Sequence, residues 1–204
     1  MNIADLDEAD IKQLALQQVA LRCKTDLFFL DKEILGYSKM TKNTHQTLCD
    51  YTTSVLPNPP EISIEGFDPR KNLLLLLMPR GTFKTSVVTI GLTLQFFLQE
   101  PDGRVLLDSE TFAKSKAFLR EIKWHLESNE KYREVFKAIH GMYPFETKNK
   151  AILWTDSELI LPCRKRSRKE PSISCAGIDV TKNGMHYDLI IADDLHSERN
   201  VTNK

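Results

Sequence analysis

Two short stretches carry residues whose types and spacing could bind a phosphate group and a metal ion. The first is MPRGTFKTS, residues 78–86, which follows a run of leucines and places Lys84 directly before Thr and Ser. The second is YDLIIADD, residues 187–194, in which Asp193 and Asp194 follow four apolar residues. Lysine and backbone N–H groups bind phosphate oxygens, and hydroxyl and carboxylate oxygens bind Mg²⁺. The two stretches together therefore favour a phosphate and magnesium site.

The first stretch departs from the phosphate-loop pattern GxxxxGK[ST] at both glycines. Aligned on Lys84, their positions hold Met78 and Phe83, and Gly81 is the one residue that we expect to take a left-handed turn. We expect a strand buried on both faces over 72–78, and then a helix from about Lys84 whose N–H groups face the phosphates. Taken alone, a buried strand followed by an exposed basic turn explains this stretch equally well.

The second stretch predicts a buried strand that ends in two acids. In P-loop enzymes such a strand carries an Asp that holds the Mg²⁺ shell, and a second acid can position and deprotonate the attacking water. Adjacent carboxylates at 193 and 194 repel each other, so a nearby cation is expected. The alternative is an exposed helix cap before LHSER, residues 195–199. Both signals in one chain favour the P-loop interpretation over the two alternatives.

Composition limits the class of protein. The chain has 204 residues, of which 41% are hydrophobic and 27% charged, and its formal net charge is zero. This fits one domain of ordinary size and gives no overall basic field for a nucleic acid. The four cysteines lack metal-ligand spacing, which favours a reduced intracellular protein. The N-terminus has no secretory apolar region, and the longest apolar run, 73–78, is too short to span a bilayer, so we expect a soluble cytoplasmic protein with no membrane partner.

Apolar periodicity and turn residues predict an alternation of strands and helices. It indicates an α/β fold with a mostly parallel sheet flanked by helices and a small helical N-terminal lobe. We expect a lobe over 1–56, a proline-rich linker over 57–70 and a core over 71–204. The predicted helices cover 8–35 (one or two helices), 43–55, 85–100 and 111–128, and the predicted strands cover 72–78, 104–109, 151–162, 172–180 and 187–194.

Four segments, in this order, resemble the large terminase subunit of tailed bacteriophages, the ATP-driven motor that packages viral DNA. They are THQTLCDYTTS (44–54), MPRGTFKTS (78–86), RVLLDSETFAKSKAFLREIKWHLESNEKYREVF (104–136) and GMHYDLIIADDL (184–195). The resemblance covers about residues 40 to 200. It implies a P-loop NTPase fold of the RecA-like (ASCE) class, with ATP and Mg²⁺ as ligands and ATP hydrolysis as the reaction.

The resemblance also implies roles for single residues. Lys84 would contact the β- and γ-phosphates, and Arg80 would act as a sensor or finger on the γ-phosphate. Asp193 would hold Mg²⁺ together with Thr85, and Asp194 would act on the water. The remaining nucleotide-binding positions are Gln46 on the adenine side, and Gly81, Thr82, Phe83 and Ser86 in the loop.

Two departures from the family bear on catalysis. Asp194 stands where the family usually has Glu, which is one methylene longer, and Phe83 replaces a glycine of the loop. The segments correspond to the front of the ATPase portion, so we expect the chain to end before the family's coupling motif and nuclease domain, without nuclease activity.

The partners implied are double-stranded DNA, the portal protein and the small terminase subunit, in the cytoplasm of the bacterial host. The full-length family forms a homo-oligomeric ring. For this portion alone, a monomer is the alternative to the ring.

Other interpretations stay open. DDLH, residues 193–196, resembles the DExH motif of superfamily 2 helicases, and a non-catalytic nucleotide- or partner-binding protein would also keep the fold. The basic run RKRSRK, 164–169, is a solvated hairpin tip, a contact for DNA phosphates or a source of an arginine for a neighbouring subunit's ATP. Trp124 and Trp154 are expected in the core, and the five histidines are expected to be structural.

Overall fold

The computed structural model describes residues 7–58, 73–146, 153–178 and 184–195. The helices are α1 (Glu8–Thr25), α2 (Leu27–Phe29), α3 (Lys42–Thr53), α4 (Leu92–Gln99), α5 (Phe112–Ser128) and α6 (Glu130–His140). Two π-helical segments, Leu30–Ile34 and Thr85–Gly91, are called the first and second π segments. The strands are β1 (Val105–Ser109), β2 (Glu158–Leu159), β3 (Ile173–Cys175) and β4 (Leu189–Asp193).

The four strands form one sheet in the order β2-β3-β1-β4. The central strand β1 pairs in parallel with β3 and β4, and β2 pairs antiparallel with β3. In the β1–β4 ladder, Ser109 lies opposite Asp193. The carboxyl ends of the three parallel strands therefore share one edge of the sheet, and the acids after β4 lie at that edge. The fold is thus mixed α/β with a mostly parallel sheet flanked by helices, as the sequence predicts.

Side-chain caps fix where several helices begin. Asp7 accepts a hydrogen bond from the backbone of Asp10 at the start of α1, and Thr111 accepts one from Lys114 at the start of α5. Such caps satisfy backbone N–H groups that the first turn of a helix leaves unpaired. At the other end of α6, Gly141 has a φ of 76°, a left-handed conformation that glycine adopts without steric cost.

One hydrophobic cluster joins the N-terminal helices to the sheet and its helices. It contains buried apolar residues from 20–56 together with buried apolar residues from 87–191. Helix α1 packs against α4 and α6, α5 packs on β1 and β3, and the second π segment contacts β4 and α3. The residues that carry the sequence motifs are therefore attached to a shared core. The division into lobe, linker and core stays a prediction, and most of the linker lies outside the described residues.

The strand predicted over 72–78 is wrong in its described part. Residues 73–79 pair with no described strand, and burial alternates along them. Leu73, Leu75 and Leu77 are 87%, 75% and 84% exposed, whereas Leu74 and Leu76 are half-buried. An unbroken run of leucines hides this alternation, because every position is apolar whether it faces the core or solvent.

Other predictions are corrected in detail. In the described parts of the strands predicted over 151–162 and 172–180, namely 153–162 and 172–178, only β2 and β3 form, and they run antiparallel to each other. The strand over 187–194 forms as β4 but is covered on one face only, because Ile190 is 61% exposed. Trp124 is 55% exposed instead of lying in the core, and Trp154 is half-buried with its indole N–H donating to Glu127.

Two further findings concern cysteines and membranes. Cys23, Cys49, Cys163 and Cys175 are buried and unbonded to each other. Across the four described ranges, no helix combines the length and apolar character needed to cross a bilayer.

Candidate functional site

The two chemistry-bearing stretches meet in the structure. The ammonium of Lys84 lies 2.9 Å from Oδ1 of Asp193 and 3.0 Å from Oδ1 of Asp194. These residues are about 110 positions apart in the chain. Lys84 sits at the start of the second π segment, and the two acids lie at the end of β4. The cation that adjacent acids require is therefore the lysine of the loop.

Asp193 is the buried centre of the site. Its side chain is 3% exposed, and its Oδ2 accepts hydrogen bonds from the hydroxyls of Thr85, at 2.6 Å, and Thr89, at 3.0 Å. Burial alone would raise the pKa of Asp193, but the bonds from Thr85, Lys84 and Thr89 outweigh it and lower the pKa. The carboxylate therefore stays charged, with a hydroxyl oxygen beside it.

Lys84 is held in its charged form by both acids. Partial burial would lower the pKa of its ammonium, but the hydrogen bonds and charges of Asp193 and Asp194 raise it. The side chain is 26% exposed, so solvent and ligands can reach it. A phosphate group would compete with the two carboxylates for the same cation.

Asp194 differs from Asp193 in exposure and backbone shape. Its side chain is 62% exposed, and its φ is 51°, in the left-handed region that non-glycine residues rarely adopt. Its carboxylate contacts Lys84. The conformation turns the chain sharply after β4, so that the two neighbouring acids approach one lysine.

The loop before Lys84 contains two left-handed residues. Gly81 has a φ of 79°, as the sequence predicts, but Phe83 also has a positive φ, of 57°. The expectation that Gly81 alone would do so is wrong. The hydroxyl of Thr82 donates to the carbonyl of Pro79 at 2.8 Å and closes the turn. Arg80 is exposed and makes no hydrogen bond or ion pair with the described residues, so it is available to a ligand.

The ring of Phe83 explains how the loop tolerates a residue other than glycine. It packs edge-on against His45 of α3, with the ring centroids 5.4 Å apart, and its centroid lies 6.3 Å from that of Tyr37. Ser86, which follows Thr85 in the second π segment, is half-buried. Aromatic packing thus anchors the loop to the N-terminal helices.

The remaining predicted residues are placed less directly. Gln46 lies on α3 next to His45, and its amide donates to Asp50 at 2.8 Å. Helix α3 packs against the second π segment, so Gln46 is on a neighbouring element without contacting Lys84 or the acids among the bonds described. His196 lies outside the described residues, so the resemblance to the DExH motif stays a prediction.

The basic run 164–169 lies away from this site. The backbone N–H groups of Lys165 and Arg166 donate to Asp102, which precedes β1. The run is therefore at the amino end of the parallel strands, whereas Lys84 and Asp193 lie at the carboxyl end. Arg164 is tied to the carbonyl of Glu170 and is only half-exposed.

Thr89 is a site residue that the sequence analysis missed. It lies one helical turn after Thr85, and both hydroxyls reach the same oxygen of Asp193. The spacing of four residues was the available signal, because positions i and i+4 share one helical face. Ser109 was also missed; its hydroxyl donates to the backbone carbonyl of Asp193 and ties β1 to the site.

The donors present fit Mg²⁺ in the manner that nucleotide-binding proteins use. Among the described residues, no group of three or more His, Cys, Asp or Glu side chains could hold a metal ion. Mg²⁺ needs no such cage, since one or two carboxylates, waters and substrate phosphates commonly complete its shell. The adjacent oxygens of Thr85 and Asp193 suit that role.

Comparison with known proteins identifies no relative of this chain. It has no significant match to a protein-family model, a curated protein or a solved structure.

Proposed function

We propose that this chain binds ATP with Mg²⁺ at the Lys84–Asp193 site and hydrolyses it to ADP and phosphate. The observation that carries the proposal is the convergence of Lys84, Thr85 and Asp193 from distant parts of the sequence. A loop lysine, a following hydroxyl and a strand-end carboxylate are the parts that P-loop enzymes use for phosphates and Mg²⁺. The proposed fold class is accordingly a RecA-like P-loop NTPase.

The resemblance to large terminase subunits supplies the biological setting of the proposal. The chain would provide the ATPase portion of a motor that moves double-stranded DNA into a procapsid, with a portal protein and a small terminase subunit as partners. In this proposal it acts in the host cytoplasm and as part of a homo-oligomeric ring. No nuclease activity is assigned to the described residues.

Binding would begin with an exchange of partners at Lys84. Its ammonium would leave the carboxylates of Asp193 and Asp194 for the β- and γ-phosphate oxygens. The exchange would free Asp193, with Thr85, to hold Mg²⁺, which would neutralise phosphate charge. Arg80, exposed four residues before the lysine, could then reach the γ-phosphate. The protein contribution is positioning and charge stabilisation.

The test is steady-state ATP hydrolysis with Mg²⁺, with and without double-stranded DNA. Lys84→Ala should lower turnover at least about 100-fold and weaken nucleotide binding measured by calorimetry. Lys12→Ala is the matched control, because Lys12 forms an exposed ion pair with Glu8 on α1. Equal turnover in the unaltered chain and in Lys84→Ala would contradict the proposal.

A non-catalytic nucleotide-binding protein is the second candidate. The contact between Asp194 and Lys84 favours this second candidate. The side chain of Asp194 is short, and a carboxylate that is held by the lysine is poorly placed to orient water. Asp194→Glu separates the candidates. A rise in turnover would indicate a catalytic site, whereas nucleotide binding with no turnover in either form would indicate a binding protein.

A further inference from the structure

We propose that Glu110 is a further catalytic residue of this site, the carboxylate that orients and deprotonates the attacking water. The proposal rests on the ATPase function proposed above. Glu110 directly follows β1, the strand paired with β4. The ladder ends with Ser109 opposite Asp193. One residue further along each chain, the backbone N–H of Glu110 donates to the carbonyl of Asp194 at 3.2 Å, so Glu110 lies beside the two acids.

Glu110 supplies a carboxylate for the attacking water that neither Asp193 nor Asp194 is well placed to supply. Asp193 is buried, accepts hydrogen bonds from two hydroxyls and, once Lys84 turns to the phosphates, would hold Mg²⁺. Asp194 would be released by Lys84 in the same exchange, but its side chain is short. Glu110 is one methylene longer than Asp194 and starts from the neighbouring strand at the same edge. Adjacent strands lie about 4.8 Å apart, so a carboxylate from β1 can serve a ligand bound beside β4.

Lys114 ties Glu110 electrostatically to the same site. Its ammonium lies 2.8 Å from Oε2 of Glu110. The pKa of Lys114 is raised first by this bond and also by the charges of Asp194 and Asp193. The Glu110–Lys114 pair therefore lies within the field of the two acids. Lys114 acts as the positioning residue, because it holds one carboxylate oxygen in a fixed direction.

A second pair in the chain has the same spacing without the same surroundings. Glu8 and Lys12 are also four residues apart, but both lie on helix α1 and their side chains are 84% and 74% exposed. The Glu110 side chain precedes helix α5 and is only 15% exposed. Stabilisation of a helix explains the first pair, but it does not explain why Glu110 lies beside Asp194 and is largely covered.

The step assigned to Glu110 balances as follows. A water oxygen forms a bond to the γ-phosphorus while the bond from that phosphorus to the β–γ bridging oxygen breaks. ADP leaves with the electron pair of the broken bond. One proton of the water passes to the Glu110 carboxylate and from there to solvent. General-base assistance of this kind contributes about 10²- to 10⁴-fold to the rate.

The test compares Glu110→Gln with Glu8→Gln in the full chain. Glu110→Gln should lower kcat at least about 100-fold, keep the affinity for Mg·ATP within about threefold, and remove the acidic limb of the pH profile of kcat. Glu8→Gln should leave all three unchanged. If Glu110→Gln melts below the assay temperature, Glu110→Asp decides, because it keeps the charge and should lower kcat about tenfold or more through its shorter reach.

The outcomes separate the two proposals. Full turnover in Glu110→Gln or Glu110→Asp, together with loss of turnover in Lys84→Ala, would overturn the role of Glu110 and leave the ATPase proposal standing. Binding of nucleotide without turnover by the unaltered chain would overturn the catalytic role of Glu110 and favour the non-catalytic candidate. Neither binding nor turnover would overturn both proposals.

Discussion

The ring of Phe83 meets the ring of His45 edge-on, at an interplanar angle of 80° and a centroid distance of 5.4 Å. This contact joins the residue directly before Lys84 to helix α3. Phe83 has a left-handed φ of 57°, a conformation that costs roughly 1–2 kcal/mol for a residue other than glycine. The packing of its ring offsets that cost, so loop shape and lobe packing depend on each other.

The first prediction is an energetic coupling between Phe83 and His45. A double-mutant cycle with Phe83→Leu and His45→Ala should give a coupling of about 0.5–1.5 kcal/mol in the free energy of unfolding, because edge-on aromatic pairs contribute about that much beyond burial. Urea denaturation measures it. A cycle of Phe83→Leu with Tyr143→Leu, which is packed instead near Arg133, should be additive. A coupling below about 0.3 kcal/mol in the first cycle would contradict the role of the contact.

The second prediction concerns Thr89. Thr89→Val keeps the shape of the side chain but removes one donor to the buried carboxylate of Asp193. A hydrogen bond to a charged group contributes about 1.5–3 kcal/mol, so unfolding should become easier by about 2 kcal/mol. Thr93→Val is the matched control, because the buried Thr93 hydroxyl donates only to the backbone carbonyl of Thr89 and its loss should cost less. Equal losses in the two variants, by urea denaturation, would show that the charge of Asp193 is irrelevant.

The sequence predicts part of this site and not the rest, for physical reasons. A strand followed by an acid pair, and a lysine followed by hydroxyls, are local patterns, so the meeting of Lys84 with Asp193 could be expected from an α/β fold. The left-handed Phe83 could not, because it depends on His45, which is distant in sequence. The seven residues of the second π segment could not be distinguished from an α-helix in the sequence, because seven residues make fewer than two turns and show no clear apolar period.

The position of Glu110 at the edge of the sheet could not be predicted from the sequence, because it depends on how the strands are paired. Its sequence context, SET before a helix, indicates only a helix start. The exposure of alternate leucines over 73–77 and of Trp124 was likewise hidden, because apolar residue type does not reveal which face is covered.

The third prediction concerns the salt-bridge network at the opposite edge of the sheet. Arg104 binds Asp188 through two nitrogens and Glu170 through a third. The carboxylate of Glu170 is nearly buried, and the backbone N–H of His186 with Arg104 holds its pKa at about 2. Arg104→Met would leave this charge without its cation and should lower the free energy of unfolding at pH 7.

The pH dependence gives the control for that prediction. Because the folded-state pKa of Glu170 is depressed, its contribution to stability is present above the ordinary value of 4.5 and is lost as pH falls toward about 2. The cost of Arg104→Met should therefore shrink between pH 5 and pH 3. Arg120→Met, at an exposed position of α5, should change the free energy of unfolding by less than about 0.5 kcal/mol. A cost of Arg104→Met that is independent of pH would contradict this explanation.

The fourth prediction concerns Leu73, Leu75 and Leu77. Because these side chains are at least three-quarters exposed, changing all three to Thr should leave the free energy of unfolding within about 1 kcal/mol. Self-association, measured by sedimentation velocity, should fall because contiguous exposed apolar surface promotes it. Leu76→Thr is the matched control, since Leu76 packs against the core and its change should destabilise the chain by more than about 1 kcal/mol. If the triple variant lost more stability than Leu76→Thr, the three exposed leucines would have to be covered in solution.

The fifth prediction concerns Asp31, in the first π segment. Its side chain is fully buried, and neither carboxyl oxygen has a hydrogen-bond partner among the described residues. Burial raises its pKa well above the ordinary 3.8, so the folded state holds a proton that the unfolded state releases. The folded state then binds more protons, and stability falls as pH rises above about 4. Asp31→Asn cannot titrate, so its gain in stability over the unaltered chain should grow between pH 5 and pH 8, by at most about 1.4 kcal/mol per pH unit. Urea denaturation across that range measures the difference.

Asp156→Asn is the control and should give a difference that does not change with pH, because Lys116 lowers the pKa of the exposed Asp156 and its carboxylate is charged in both states over that range. A flat curve for Asp31→Asn as well would mean that Asp31 is ionised in the folded protein and that a cation or water satisfies it.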